Sequence, residues 1–287
     1  MDEELYCIYS DKNISRNQMS IEHIIPKSLG GSDEFIIYVD KQLNSVLGST
    51  VDGKYVNDPL VRLRLLHENH KGHSKKEQEV KFINSSINNK PVSVTFKKSG
   101  IDIYDPIIKK HIKPNGEITT GMTINLYTRV KFIAKVALAS GYYILGDSFV
   151  KGADHDSLRR LIFSKNIRNE DLDLFFIDNL HINEKDKDHV KLISLLIEFL
   201  GGTNVILQIF QTRIIVDIGI DGKYIGGVSF KAESNNIPYQ DATRLGQIIN
   251  IKNGTMIVKS FWRAIFEMNK AYNVAQVDDS ILDVTYI

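Results

Sequence analysis

The stretch Glu22-His-Ile-Ile-Pro-Lys-Ser-Leu-Gly-Gly31 is the most informative part of this sequence. In it an acidic residue directly precedes a histidine, and two β-branched residues, a proline and a glycine pair follow. Successive side chains of a strand point to opposite faces unless the chain is turning into a loop. A Glu–His pair at the end of a strand can therefore hold a metal with one side chain and activate a water molecule with the other.

The residues around this stretch predict a small, regular set of elements. Apolar and β-branched runs predict strands at residues 5–9, 21–25 and 35–39. Residues 41–47 predict a helix that Gly48 interrupts or ends. The order strand, loop, strand, helix thus fits within the first 55 residues.

The sequence resembles the HNH, or ββα-metal, nuclease family at four places: Cys7-x-x-Ser10, the Glu22–Gly31 stretch, Val39-Asp-Lys-Gln-Leu-Asn44 and Gly48-x-x-x-Asp52. More narrowly, it is similar to the branch with a Glu-His-Ile-Ile-Pro-x-x-Leu-Gly-Gly signature. The resemblance implies that His23 is the general base, and that Glu22 and Asn44 are the metal ligands. It also implies Mg²⁺ or Mn²⁺ as cofactor and DNA as substrate, while RNA stays open. Asp52 could complete the metal shell or tie down the fold.

The departures from the family concern its structural zinc. That branch usually has four zinc cysteines, of which only Cys7 is present, because Ser10, Asp40 and Leu43 stand at the other three positions. The sequence therefore argues against a structural zinc. Apolar packing would have to hold the motif instead, and six residues are candidates: Leu5, Ile8, Ile24, Phe35, Ile37 and Leu47.

The rest of the sequence predicts an α+β fold. We expect an N-terminal ββα-metal (HNH) module over residues 1–75 and a larger mixed α/β recognition or regulatory domain over residues 76–287. Predicted helices begin at Asp58-Pro59 and cover 129–145, 155–165 and 190–200. Predicted strands cover 92–98, 101–104, 122–127, 205–220 and 224–231, with turns at 113–117 and Asp221-Gly222 and a connector over 166–190.

Charge is unevenly distributed along the chain. Residues 1–61 carry a net charge of −5, and residues 62–113 carry +7 and four histidines. A nuclease with a metal pocket and a phosphate-binding surface could have this pattern, and so could a solvated charged face. Two groups of basic residues could contact phosphates. The first is His67, His70 and His73, which could instead bind a metal or form an exposed loop. The second is Lys97, Lys98, Lys109, Lys110, His111 and Lys113.

Composition bears on the compartment. The single cysteine excludes an intrachain disulfide, and the acidic N-terminus has no apolar segment typical of a signal peptide. The longest apolar stretch, residues 132–145, is too short to span a bilayer. These features predict a cytoplasmic protein without a membrane partner.

The resulting hypothesis is a metal-dependent DNA endonuclease of prokaryotic restriction or phage defence. One alternative is a nucleic-acid-binding protein on a catalytically degenerate HNH scaffold. Another is a nuclease effector that a ligand or partner controls through the C-terminal domain. A homodimer would suit double-strand cleavage, and a defence-system protein could be a partner, but no residue demonstrates either.

Overall fold

The structure is a computed structural model that describes residues 3–67, 79–164, 173–233, 237 and 246–272. It is a mixed α+β protein with antiparallel sheets, which confirms the predicted fold class at that level. The strands are β1 Glu4–Cys7, β2 Lys12–Ser15, β3 Met19–His23, β4 Ile36–Asp40, β5 Glu79–Ile87, β6 Lys90–Lys97, β7 Gly100–Asp105, β8 Lys110–Ile112, β9 Ile118–Thr120, β10 Leu174–Asp178, β11 Thr203–Ile209, β12 Arg213–Ile220, β13 Lys223–Lys231, β14 Gly246–Lys252 and β15 Thr255–Ser260. The α-helices are α1 Lys41–Leu47, α2 Gly53–Val56, α3 Pro59–His67, α4 Leu126–Leu145, α5 Asp147–Gly152, α6 His155–Phe163, α7 Lys187–Leu200 and α8 Phe261–Ala271.

The largest sheet has the strand order β10-β13-β12-β11-β14-β15. Alternating residues of its strands enter two different apolar clusters: Val205 and Leu207 of β11 face α4, whereas Ile206 faces α7 and α8. This alternation follows from the two-residue period of a strand. The sheet therefore has α4 on one face and α7 with α8 on the other.

The N-terminal segment places the Glu22–Gly31 stretch at the end of a hairpin. Strands β3 and β4 pair antiparallel, with His23 opposite Ile36, and α1 follows β4 directly. The Asp40 carboxylate caps α1 by accepting hydrogen bonds from the amides of Gln42 and Leu43. The helix does not end at Gly48, because the π-helical segment Gly48–Asp52 carries it into α2.

The N-terminal segment shares its core with the later part of the chain. The Tyr55 ring after the π-helical segment stacks on the Phe132 ring of α4 with centroids 3.8 Å apart. One apolar cluster runs from Cys7 to Leu65 and continues through α4 into the large sheet. The predicted domain division at residue 75 stays a prediction, but residues 7–65 and α4 stabilise one another.

A second sheet, which we call the β-arm (residues 79–120), has the strand order β8-β7-β6-β5-β9. It has a small core of its own, formed by Ile87, Val92, Val94 and Ile103. Strands β8 and β9 lie at opposite edges of the sheet, so the hairpin predicted at residues 113–117 is wrong. The strand predicted at 122–127 is also wrong, because Asn125 caps α4 by accepting a hydrogen bond from the Thr128 amide at 3.1 Å.

Along the described part of the chain, no helix is both long enough and apolar enough to cross a membrane.

A buried polar cluster lies between α7 and the large sheet. The Asp217 carboxylate is fully buried and accepts hydrogen bonds from His189 Nε2 at 3.1 Å, Gln208 Nε2 at 2.9 Å and the Tyr224 hydroxyl at 3.0 Å. Burial alone would lower the pKa of His189, but its hydrogen bond to Asp217 holds that pKa above the ordinary value of 6.5. The protonated ring therefore helps to hold α7 on the sheet.

We expect the His189→Gln variant to be less stable than the wild type by about 1.5–3 kcal/mol below pH 6.5. Since the folded-state pKa is raised, the stabilisation is fully present below the unfolded-state pKa and is lost as pH rises through the folded-state pKa. Urea unfolding at several pH values should show the difference shrinking above pH 6.5, with the exposed His181→Gln variant as control. A difference that stays constant or grows with pH would contradict this.

Candidate active site

The end of β3 opens onto a cleft of about 510 Å³. The chain leaves β3 at His23, and Ile24 and Ile25 are fully buried beneath the cleft. The cleft is lined by Ile21, Glu22, His23, Pro26, Lys27, Ser28, Gly48, Asp52, Gly53, Val56 and Asn57. The structure therefore brings together the Glu–His pair and the π-helical segment.

The glycine pair closes the loop after β3. Gly30 has φ = 82°, the left-handed conformation that glycine adopts without strain. A Cβ on Gly31 would lie 1.9 Å from the carbonyl oxygen of Ile25, so a larger residue has no room there. The backbone conformation at Gly30 and the lack of space at Gly31 explain why the signature has glycine at both positions.

The His23 imidazole lies at the cleft with 30% of its side chain exposed, and its Nε2 is 2.9 Å from Asp33 Oδ1. The other Asp33 oxygen pairs with the Lys27 ammonium. The hydrogen bond from His23, followed by that from Lys27, lowers the pKa of the Asp33 carboxyl, so it is ionised near neutral pH. Because a carboxylate only accepts hydrogen bonds, Nε2 carries the hydrogen and Nδ1 of the neutral ring keeps its lone pair.

The Glu22 side chain points inward, to an ion-pair cluster centred on Lys135 of α4. Lys135 is fully buried; its ammonium pairs with Glu22 Oε1 and lies 3.0 Å from Asp52 Oδ2. It also donates to the carbonyl oxygens of His23 at 3.3 Å and Ile24 at 3.2 Å. One lysine thus holds the two cleft carboxylates and the backbone at the end of β3.

The cluster has more negative than positive charge. Burial raises the pKa of Asp52, and although burial alone would lower the pKa of Lys135, the Asp52 and Glu22 carboxylates raise it. Two carboxylates therefore face one buried ammonium, an arrangement that favours an added positive charge. The Tyr9 hydroxyl donates to Glu22 Oε1 at 3.3 Å, and burial raises the pKa of this phenol, which stays neutral.

The ion pairs of the cluster leave one carboxylate oxygen without a partner among the described residues. Asp52 Oδ1 is buried and has no hydrogen-bond partner among the described residues. Within those residues no group of three His, Cys, Asp or Glu side chains is placed to hold a metal. A cation here would have carboxylate oxygens from Glu22 and Asp52 and would keep water molecules, as Mg²⁺ commonly does.

Asn44 has a different environment from the one that the resemblance implies. Its amide donates to Ser20 Oγ at 3.0 Å and to the Ile21 carbonyl oxygen at 2.9 Å, which ties α1 to β3. It does not line the cleft, whereas Asp52 does. The assignment of Asn44 as a metal ligand stays a prediction. His67 ends α3, and His70 and His73 lie outside the described residues, so the hypotheses about these histidines are untested.

The positions of the family's zinc cysteines have other roles here. Cys7 is buried, and its Sγ accepts a hydrogen bond from the Asp40 amide at 3.2 Å. Asp40 itself caps α1. The predicted apolar brace is confirmed: Leu5 is partly buried, and the others are buried, namely Ile8, Ile24, Phe35, Ile37 and Leu47.

Sequence reasoning missed three residues of this site: Asp33, Lys135 and Tyr9. Lys135 had a detectable signal, because it is a charge within the apolar run 132–139 of α4, where a buried cation needs a partner. Asp33 follows the glycine turn and had no comparable signal. Tyr9 lies in a predicted strand, and no local pattern pairs it with Glu22.

Comparison of the chain with protein-family models, with curated proteins and with solved structures finds no match.

Proposed function

We propose that this chain is a divalent-metal-dependent endonuclease of the HNH type that hydrolyses phosphodiester bonds in DNA. The observation that carries the proposal is the His23–Asp33 pair at the cleft. Beside it, two buried carboxylates, Glu22 and Asp52, share one ammonium as counter-charge. The hairpin β3–β4 followed by α1 has the element order of a ββα-metal module, which supports the assignment.

His23 is the proposed general base. Its Nδ1 would take a proton from the attacking water molecule, and Asp33 would keep Nε2 protonated and stabilise the imidazolium that forms. Lys27 holds Asp33 from the other side and so fixes the orientation of the ring.

Glu22 and Asp52 are the proposed metal-binding residues, for Mg²⁺ or Mn²⁺. A bound cation stabilises negative charge on the phosphate and on the leaving oxygen. The charge of the cluster gives a further reason for metal dependence: without an added cation, the excess negative charge would repel a phosphodiester.

A second candidate function is a nuclease controlled through the rest of the chain. The favouring observation is that Lys135, which contacts both cleft carboxylates, belongs to α4 and not to the N-terminal segment. A shift of α4 would reach the site directly. A role in restriction or phage defence, a homodimer, a partner protein and a cytoplasmic location remain predictions from the sequence and its resemblance.

The proposal is tested by incubating purified protein with supercoiled plasmid. We expect nicked or linear DNA with Mg²⁺ or Mn²⁺, and none when a chelator is added. The Asp52→Asn variant should need about tenfold more Mg²⁺ for the same rate, because it removes the excess charge. Absence of cleavage with every divalent cation, or cleavage that a chelator leaves unchanged, would refute the proposal.

A further inference from the structure

The tip of the β-arm, residues 106–110, displays two neighbouring isoleucines. Its residues 106–109 join the antiparallel strands β7 and β8. Ile107 is 70% exposed and Ile108 is 55% exposed. Isolated apolar residues are common on protein surfaces, but an adjacent, strongly exposed pair in a hairpin turn is a candidate contact site.

The tip holds these side chains in a fixed turn. The Asp105 carboxylate accepts hydrogen bonds from the backbone amides of Ile107 at 2.8 Å and Ile108 at 3.2 Å. A side chain of the arm thus stabilises the backbone conformation of the turn. Because the backbone of the turn is already ordered, binding through the two isoleucines costs little further conformational entropy of the backbone.

The surroundings of the tip are basic. The β-arm carries seven lysines and four acidic residues, a net charge of +3 before His111 is counted. Lys109 and Lys110 directly follow the isoleucines and are exposed, as are Lys98 and Lys113 in other connections of the arm. An apolar pair bordered by lysines suits a polyanion that also offers flat apolar surface, which is what the stacked bases of DNA provide.

The arm is attached to the chain segment that forms the cleft. Asn57 lines the cleft, and α3 begins two residues later. Arg62 of α3 donates a hydrogen bond to the carbonyl oxygen of Glu79, the first residue of the arm. The arm is therefore anchored on the helix that follows the cleft-lining segment.

We propose that the β-arm binds duplex DNA, with Ile107 and Ile108 inserted as an apolar wedge at a base step and Lys109 and Lys110 on the flanking phosphates. This inference rests on the proposed nuclease function and names the surface that holds its substrate. Apolar side chains inserted in this way unstack and bend the duplex, which enlarges the protein surface in contact with it.

The experiment measures binding of a fluorescent 30-base-pair duplex by the full-length protein with a chelator present, so that binding is separated from cleavage. Ile107→Ser/Ile108→Ser should weaken binding about tenfold or more, and should reduce duplex bending measured by energy transfer between end labels. Lys109→Ala/Lys110→Ala should lower the slope of log K against log salt by about 2, since each phosphate contact contributes about 0.9. The control is Ile83→Ser, which removes an isoleucine that is 69% exposed on β5, two strands from β7.

The outcomes separate this inference from the proposed function. Loss of duplex binding in both tip variants, with the control unchanged, supports the inference even if no plasmid cleavage is found. Unchanged binding in both tip variants overturns it, even if His23-dependent cleavage is present. Loss of binding to anionic lipid vesicles, with duplex binding unchanged, also overturns it and assigns the tip to a membrane surface. A wild-type protein that does not bind the duplex overturns it as well.

Discussion

Replacing His23 by alanine should lower the rate of plasmid cleavage by about 10²–10⁴-fold, the usual contribution of a general base. The fold should be kept, because the His23 side chain is partly exposed and its described side-chain partner, Asp33, is on the surface. The measurement is the initial rate of nicking at saturating Mg²⁺, together with urea unfolding of the same variant. Cleavage within twofold of the wild-type rate would exclude His23 as the base.

Two further variants make this result specific. Asp33→Asn keeps an oxygen that can accept the Nε2 hydrogen bond but removes the charge that stabilises the imidazolium. We expect a smaller loss than for His23→Ala, because the ring keeps its orientation and loses only the charge that stabilises the imidazolium. The matched control is His181→Ala, an exposed histidine outside the cleft, which should cleave at the wild-type rate.

Replacing Lys135 by methionine should lower the free energy of unfolding by about 3–5 kcal/mol, because Glu22 and Asp52 would stay buried without their counter-charge. The loss should become smaller at acidic pH. Carboxylates buried in this way have raised folded-state pKa values, so protonation stabilises the folded variant as pH falls through those values. Urea unfolding between pH 4.5 and 8 would measure both effects.

The matched control for Lys135 lies one turn earlier on the same helix. Lys131 donates to the carbonyl oxygens of Ile162 and Ser164 and pairs with no carboxylate in the described residues. Lys131→Met should therefore cost only about 1 kcal/mol, without the same dependence on pH. Adding Glu22→Gln and Asp52→Asn to Lys135→Met should recover part of the loss. An equal loss for the two lysine variants would mean that buried charge is not the cause.

Local signals in the sequence were sufficient for the elements that carry the site. The signature, the helical run at residues 41–47 and the apolar periodicity of residues 129–145 predicted β3, α1 and α4 close to their observed bounds. The Asp221-Gly222 turn between β12 and β13 was also predicted correctly. In each case the residues that decide the structure are neighbours in sequence.

The errors have physical reasons. Residues 205–220 contain two strands, because the break at Phe210-Gln-Thr212 has no glycine or proline to mark it. The predicted connector 166–190 contains β10, an edge strand without a buried side chain, so its apolar signal is weak. The cluster at the cleft depends on contacts 83 to 112 residues apart, which no local pattern encodes.

The position of Lys135 also orders events during synthesis of the chain. Its ammonium enters the chain 83 residues after Asp52, and at about 5–20 residues per second this takes about 4–17 s. Until then the nascent N-terminal segment lacks the lysine that pairs with its two buried carboxylates. We expect the cleft to assemble only after α4 has emerged from the ribosome.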